Sequence, residues 1–225
     1  SRISLANNDS GDKNIIFGER AGYSIASGGD QNNLFGYQTG YAITTGDYNV
    51  GIGNYNSYFN QTGSNNTAIG TQSMQGASGQ SHSNNSALGY KSLYGITDGA
   101  YNVSMGSQSG VNVTTSDHNT YIGGYSGHFN ATGSNNTAIG TNSQYGANGN
   151  SHSNNTSIGY DTLKIITIGT DNVAVGVQAG ADLTSGSYNV MVGKMSGYEV
   201  TTNEGNTFLG YQSGKNTKGA YHYNV

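Results

Sequence analysis

The stretch Asn66-Thr67-Ala68-Ile69-Gly70-Thr71-Gln72-Ser73 returns as Asn136-Thr137-Ala138-Ile139-Gly140-Thr141-Asn142-Ser143, and its skeleton runs along the chain. An Asn recurs at Asn14, Asn32, Asn49, Asn66, Asn85, Asn102, Asn119, Asn136, Asn155, Asn172, Asn189, Asn206 and Asn224, in steps of 17 to 19 residues. Four residues after each of the first twelve stands a Gly, from Gly18 to Gly210. The residue before that Gly is always large and apolar: Phe17, Phe35, Ile52, Ile69, Leu88, Met105, Ile122, Ile139, Ile158, Val175, Val192 and Leu209. A short period kept this strictly marks a stack of coils in which each repeat buries its apolar side against its neighbours.

Composition agrees. The 225 residues include 37 Gly and 30 Asn but no Pro and no Cys. Leu, Ile, Val and Phe supply 37 residues, about 16% of the chain, under the roughly 20% at which disorder becomes the default. Disorder also calls for high net charge, and here the formal charge is −4 on a strictly ordered sequence. So small a charge, with no Lys/Arg cluster, gives no basis for nucleic-acid binding. The absence of Cys excludes disulfides, thiolate metal sites and a cysteine nucleophile. No apolar run approaches the roughly 20 residues of a membrane span, and Ser1 to Ala6 do not read as a signal peptide. The expectation is a segment of a longer chain.

The residues one and three after each Asn, such as Val50 and Ile52, predict a strand of about five residues with both side chains inward. The small residue seven after the Asn (Ala21, Ser73, Ser109, Ser143, Ala179, Ser213; Asn56 is the exception) predicts a second inward position. Turn stretches such as Thr62-Gly63-Ser64-Asn65-Asn66 close each rung. Stacked at about 4.8 Å per rung, twelve rungs make an all-β parallel solenoid on the order of 55–60 Å long, with Asn amides bonding along the stack. Residues 1–13 read as a lead-in, 14–223 as twelve rungs in four-rung blocks (14–84, 85–154, 155–223), and Asn224–Val225 as the start of another rung. The middle strand position alternates between small (Gly51, Ala68, Ala87, Ser104) and large (Ile16, Leu34, Tyr121, Met191, Phe208). Read as outward-facing, these residues predict lateral packing against sister chains.

The pattern at Asn66–Ser73 and Asn136–Ser143, with its variants at Asn206–Gly214 and Asn32–Gly40, resembles the head repeats of YadA-like trimeric autotransporter adhesins. It is more similar still to Gly/Asn/Tyr-rich repeats of phage and algal-virus tail-fibre or attachment proteins. The resemblance implies a left-handed β-roll, an intertwined or side-by-side homotrimer, and an extracellular place on a virion or bacterial surface. It further implies attachment to host-surface carbohydrate or a protein receptor. The adhesin head rung is shorter than the rungs here, and no ligand residue carries over.

Catalytic chemistry finds little footing. The three Glu (Glu19, Glu199, Glu204) pair with no Asp at a spacing for acid/base work, and no nucleophile elbow accompanies Ser81-His82-Ser83 or Ser151-His152-Ser153. The expectation is no enzyme and no cofactor. Asp30, Asp47 and Asp117 read as solvated turn residues. His82 and His152 read as exposed loop residues; they are weak metal candidates only if a threefold axis gathers three copies. Tyrosine carries the strongest binding signal. Tyr23, Tyr41, Tyr58, Tyr94, Tyr145 and Tyr198 stand nine after the Asn, while Tyr48, Tyr101, Tyr188 and His118 immediately precede one. Aromatic faces beside amides and hydroxyls suit sugar stacking, and a purely structural ladder is the competing reading. Two other roles are weighed: a fibre shaft without ligand, and an ice-binding solenoid, which needs an outward, unbroken Thr column.

Overall fold

The computed structural model describes residues 10–147 and 149–217; the expected further rung at Asn224–Val225 and the start of the lead-in lie outside them. The chain divides into two compact units at Thr115/Ser116. The first holds β1 (Ile15–Phe17), β2 (Asn33–Phe35), β3 (Val50–Ile52), β4 (Thr67–Ile69), β5 (Ser86–Leu88) and β6 (Val103–Met105). The second holds β7 (Thr120–Ile122), β8 (Thr137–Ile139), β9 (Thr156–Ile158), β10 (Val173–Val175), β11 (Val190–Val192) and β12 (Thr207–Leu209). Within each unit every strand pairs in parallel with its sequence neighbour, and equal rung positions face each other, as in Val50↔Thr67 and Val173↔Val190. The fold is therefore an all-β parallel solenoid.

Register is held by the Asn column, whose twelve described members, Asn14 to Asn206, are all buried. Asn49 shows the pattern. Its Oδ1 accepts from the backbone N–H of Asn66 (3.1 Å) and from the Asn66 amide (3.0 Å). Its own amide donates to Asn32 Oδ1 (3.0 Å) and to the Gly63 carbonyl (3.0 Å). The same geometry recurs at Asn136, Asn155, Asn172, Asn189 and Asn206. Such buried amides are inexpensive only when every donor and acceptor is met, and here each rung meets the needs of the next.

The strands are three residues long, and they face the other way from the expectation. The middle residue is buried, as in Leu34, Ala68, Tyr121 and Met191, whereas Phe17, Ile52, Leu88, Met105 and Ile158 are exposed. The reason lies in the Asn itself: its side chain points inward, so at period two the residue two later points inward with it. Positions one and three are thereby turned out. They form two outward columns on each unit, one rich in Val and Thr, the other Phe17, Phe35, Ile52, Ile69, Leu88 and Met105 in the first unit. The strand ends at the invariant Gly because φ there lies near +130°, and a Cβ on Gly53 would stand 2.6 Å from the Gly70 carbonyl oxygen.

The alternation of small and large middle residues is internal packing. Six positions further on is a residue held at left-handed φ, and in nine of the twelve rungs its size compensates: Leu34 goes with Gly40, Tyr121 with Gly127, Phe208 with Gly214, but Ala68 with Met74, Ala87 with Leu93 and Ser157 with Leu163. A Cβ on Gly40 would meet Leu34 Cδ1 at 2.9 Å and Ile43 Cδ1 at 2.8 Å. Both positions are small at Gly51/Ser57, Ser104/Gly110 and Ala174/Gly180, and at the first and last of these larger side chains of adjacent rungs reach in: a Cβ on Gly180 would meet Met191 Sδ at 2.8 Å and Leu163 Cδ2 at 2.9 Å. A further inward column lies eleven after the Asn: Ile25, Ile43, Ile96 and Val113, then Ile166, Leu183 and Val200. The expected small column at position seven is inward as read, and Ser92, Ser126 and Ser196 donate to backbone carbonyls at 2.7–2.9 Å.

Replacing Asn49 by Ala leaves the Asn66 N–H and the Gly63 carbonyl buried without these partners, and chemical denaturation should show a loss of roughly 2–4 kcal/mol. The Leu34→Ala and Gly40→Leu variants should each be destabilised, while the double variant, which recreates the Ala87/Leu93 arrangement, should recover at least about 1 kcal/mol relative to the sum.

Candidate functional site

Outside the tube, aromatic side chains line up because the rungs repeat in register. In the first unit Tyr23, Tyr41 and Tyr58 stack face to face, with centroids 5.1 and 5.0 Å apart and planes within 6°. Tyr55 leans against Tyr58 at 5.9 Å, and Tyr37 meets Tyr55 edge-on at 5.2 Å. Rung spacing is close to ring thickness plus a small offset, so a column of tyrosines stacks with no adjustment of the backbone.

The second unit turns the same columns into a recess of about 460 Å³ lined by Tyr125, Asn142, Tyr145 and Lys164. Tyr145 stacks on His128 (5.0 Å, 9°), and Phe129 sits edge-on to both rings. Tyr125, Asn142 and Asp161 occupy one position of three successive rungs, each at left-handed φ between 52° and 58°. His128, Tyr145 and Lys164 occupy the position three later. Asp161 is buried; its carboxylate accepts from the Asn142 amide (2.9 Å) and from Lys164 Nζ (3.0 Å). That hydrogen bond raises the Lys164 pKa and keeps the ammonium charged.

The anticipated residues thus fall into separate places. Tyr23, Tyr41 and Tyr58 form the first ladder, Tyr145 the recess wall, and Tyr94 a half-buried ring under Lys91 Nζ at 5.1 Å. Tyr198 is half-buried in the same column of the second unit. Tyr48, Tyr101, Tyr188 and His118 are exposed at left-handed φ of 57° to 61°, on the turn that leads into the Asn. The Tyr48 hydroxyl accepts from Gln31 Nε2 at 3.1 Å. Asp30 and Asp47 are turn residues that bond along the stack, Asp47 Oδ1 accepting from the Asp30 N–H at 2.7 Å. Sequence reasoning missed Tyr125, Asn142, Asp161 and Lys164. The signal was available in the positions six and nine after the Asn, read across three rungs instead of one column at a time.

His82 and His152 correct their expectation. Both are fully buried inside the 19-residue rungs, His82 in the unit that holds Met74 and His152 in the unit that holds Gln144, so neither ring is presented to a sister chain. Neither ring nitrogen of either residue has a well-formed hydrogen bond. Burial pushes the His82 pKa down to about 4 and that of His152 to about 3. Among the described residues no three His, Cys, Asp or Glu converge as metal ligands, and no helix is long and apolar enough to cross a membrane. Comparison with protein-family models, curated proteins and solved structures finds no match.

The two histidines generate a pH dependence. Unfolded, each takes up a proton near pH 6.5, which the folded core refuses until about pH 4 or 3. Stability is therefore complete above pH 6.5 and falls as pH drops towards the folded values, by a few kcal/mol in total. Melting curves between pH 7 and 5, above the main carboxylate range, should show the decline, and a His82→Leu, His152→Leu variant should flatten it.

Proposed function

We propose that this chain is a structural and adhesive segment of a homotrimeric surface or virion fibre that binds host-surface glycan through many weak contacts. The observation that carries the reading is the outer aromatic ladder on a hydrogen-bonded frame: exposed Tyr23 with half-buried Tyr41 and Tyr58 in one unit, and half-buried Tyr145 stacked on buried His128 in the other. Rings fixed by stacking present their outer edges and hydroxyls to a sugar at little conformational cost, and repetition along a fibre converts weak contacts into avidity. Trimer formation draws support from the outward apolar columns. Ile52, Leu88 and Met105 are each more than two-fifths exposed, and a row of such side chains favours burial against another copy.

Analytical ultracentrifugation should give a trimer; a strict monomer at high concentration overturns the trimeric part. Ile52→Ser with Leu88→Ser should weaken association while leaving the monomer folded, since both side chains point outward. Tyr41→Ala, at the centre of the ladder, should reduce retention on glycan-coated surfaces.

A second reading gains from one observation. The Val/Thr column expected to be buried faces outward, with Thr67 exposed and Thr120, Thr137, Thr156 and Thr207 half-exposed. An outward Thr column is what an ice-binding solenoid requires, although here Ile15, Val50, Val103, Val173 and Val190 interrupt it. Thermal hysteresis of the purified chain separates the two roles.

A further inference from the structure

We infer that the recess between Tyr125 and Tyr145 is a carbohydrate subsite for a neutral hexopyranose, taking up to two sugar rings; this rests on the glycan-binding reading above and gives it an address and a ligand class. Three features converge there. Two tyrosines line the recess with centroids 6.4 Å apart and planes inclined at 57°, so a sugar ring laid on one meets the edge of the other. Tyr145 is braced from behind by His128 and edge-on by Phe129, which fixes the plane it offers. Buried Asp161 holds Asn142 and Lys164 by their donors, orienting both side chains at the lining. Asn142 then retains Oδ1 as an acceptor, and Lys164 retains ammonium hydrogens as donors, which is the pairing that vicinal hydroxyls need.

Charge selects the class of sugar. Lys164 is neutralised by Asp161 at 3.0 Å, so the recess carries no net charge from this pair and offers an anionic sugar no unpaired cation. At about 460 Å³ it falls in the size range of small-ligand sites. Among the described residues the arrangement belongs to the second unit. At the equivalent positions 70 residues earlier stand Tyr55, Gln72, Lys91, Gln75 and Tyr94, with no acid to pin the amide and Lys91 lying over the Tyr90 and Tyr94 rings.

The test is calorimetric titration of the full chain with neutral disaccharides (lactose, cellobiose, maltose) and with sialyllactose and a diuronate. The expected result is saturable binding of at least one neutral disaccharide, weakened at least tenfold in Tyr145→Ala and clearly in Lys164→Gln, and unchanged in Tyr211→Ala, an exposed tyrosine outside the ladder and the recess. Melting curves establish that each variant is folded, and Lys164→Gln, at a partly exposed position, keeps the test usable if Tyr145→Ala is not. Neutral-sugar binding lost in Tyr23→Ala but kept in Tyr145→Ala and Lys164→Gln overturns the subsite and leaves the adhesive reading standing. Preference for the anionic sugars overturns the neutral assignment. No binding of any of these sugars overturns the subsite, while retention of the chain on glycan-coated surfaces decides the adhesive reading separately.

Discussion

A buried amide satisfied by copies of itself in the adjacent rungs and by their backbone sets the terms for this molecule. The side chain of Asn49 gives its hydrogens to Asn32 and to the turn carbonyl of Gly63, and its oxygen to Asn66. An Asn one position out of register would leave four hydrogen-bonding groups dry and unpaired, each worth about 1–3 kcal/mol. The ladder is thus the register, and every other column in each unit inherits its alignment from it. Even the shortness of the strands follows, because three extended residues suffice when an amide ladder and a turn network carry the remaining rung-to-rung bonds.

Alignment in turn frees composition elsewhere. Once backbone geometry is repeated by hydrogen bonds, the interior requires only to be filled; in most rungs exchange between the middle strand position and the left-handed position six later does this, and at Gly51 and Ala174 the adjacent rungs do. Ala68 with Met74 and Leu34 with Gly40 fill comparable space from opposite walls. Left-handed φ at Met74, Leu93 and Leu163 is a local strain, tolerated because the backbone N–H groups there are bonded to the next rung: Met74 to Ser92, Leu93 to Ser109 and Leu163 to Ala179. The asymmetries that remain, Asn60 and Asn130 in the otherwise apolar column and the buried imidazoles of the longer rungs, lie where the loops lengthen.

The outer positions are left to function. A stacked column of tyrosines is cheap to build on a repeating frame, and it becomes a recess where one rung contributes Tyr125, the next Asn142 and Tyr145, and the third the Asp161–Lys164 pair. The outward apolar columns have no comparable role inside the chain, which is why association with further copies and adhesion belong to one proposal.

The periodic residues alone determined that the chain is a parallel solenoid, where its rungs begin, and that the Asn column bonds along the stack, because in-register pairing writes itself into the sequence as invariant spacing. They did not determine which way the strand faces. Val50, Gly51 and Ile52 offer apolar character on both sides, and choosing the constant bulky position as the core gave the inverted answer; the inward Asn49 decides it. His82 and His152 likewise looked like loop residues, since polarity and a longer rung imply exposure, whereas the folded chain turns both imidazoles into the interior. The recess was invisible for a related reason: its parts are 17 to 19 residues apart in sequence, and only the stacking of rungs brings them within reach of one ligand.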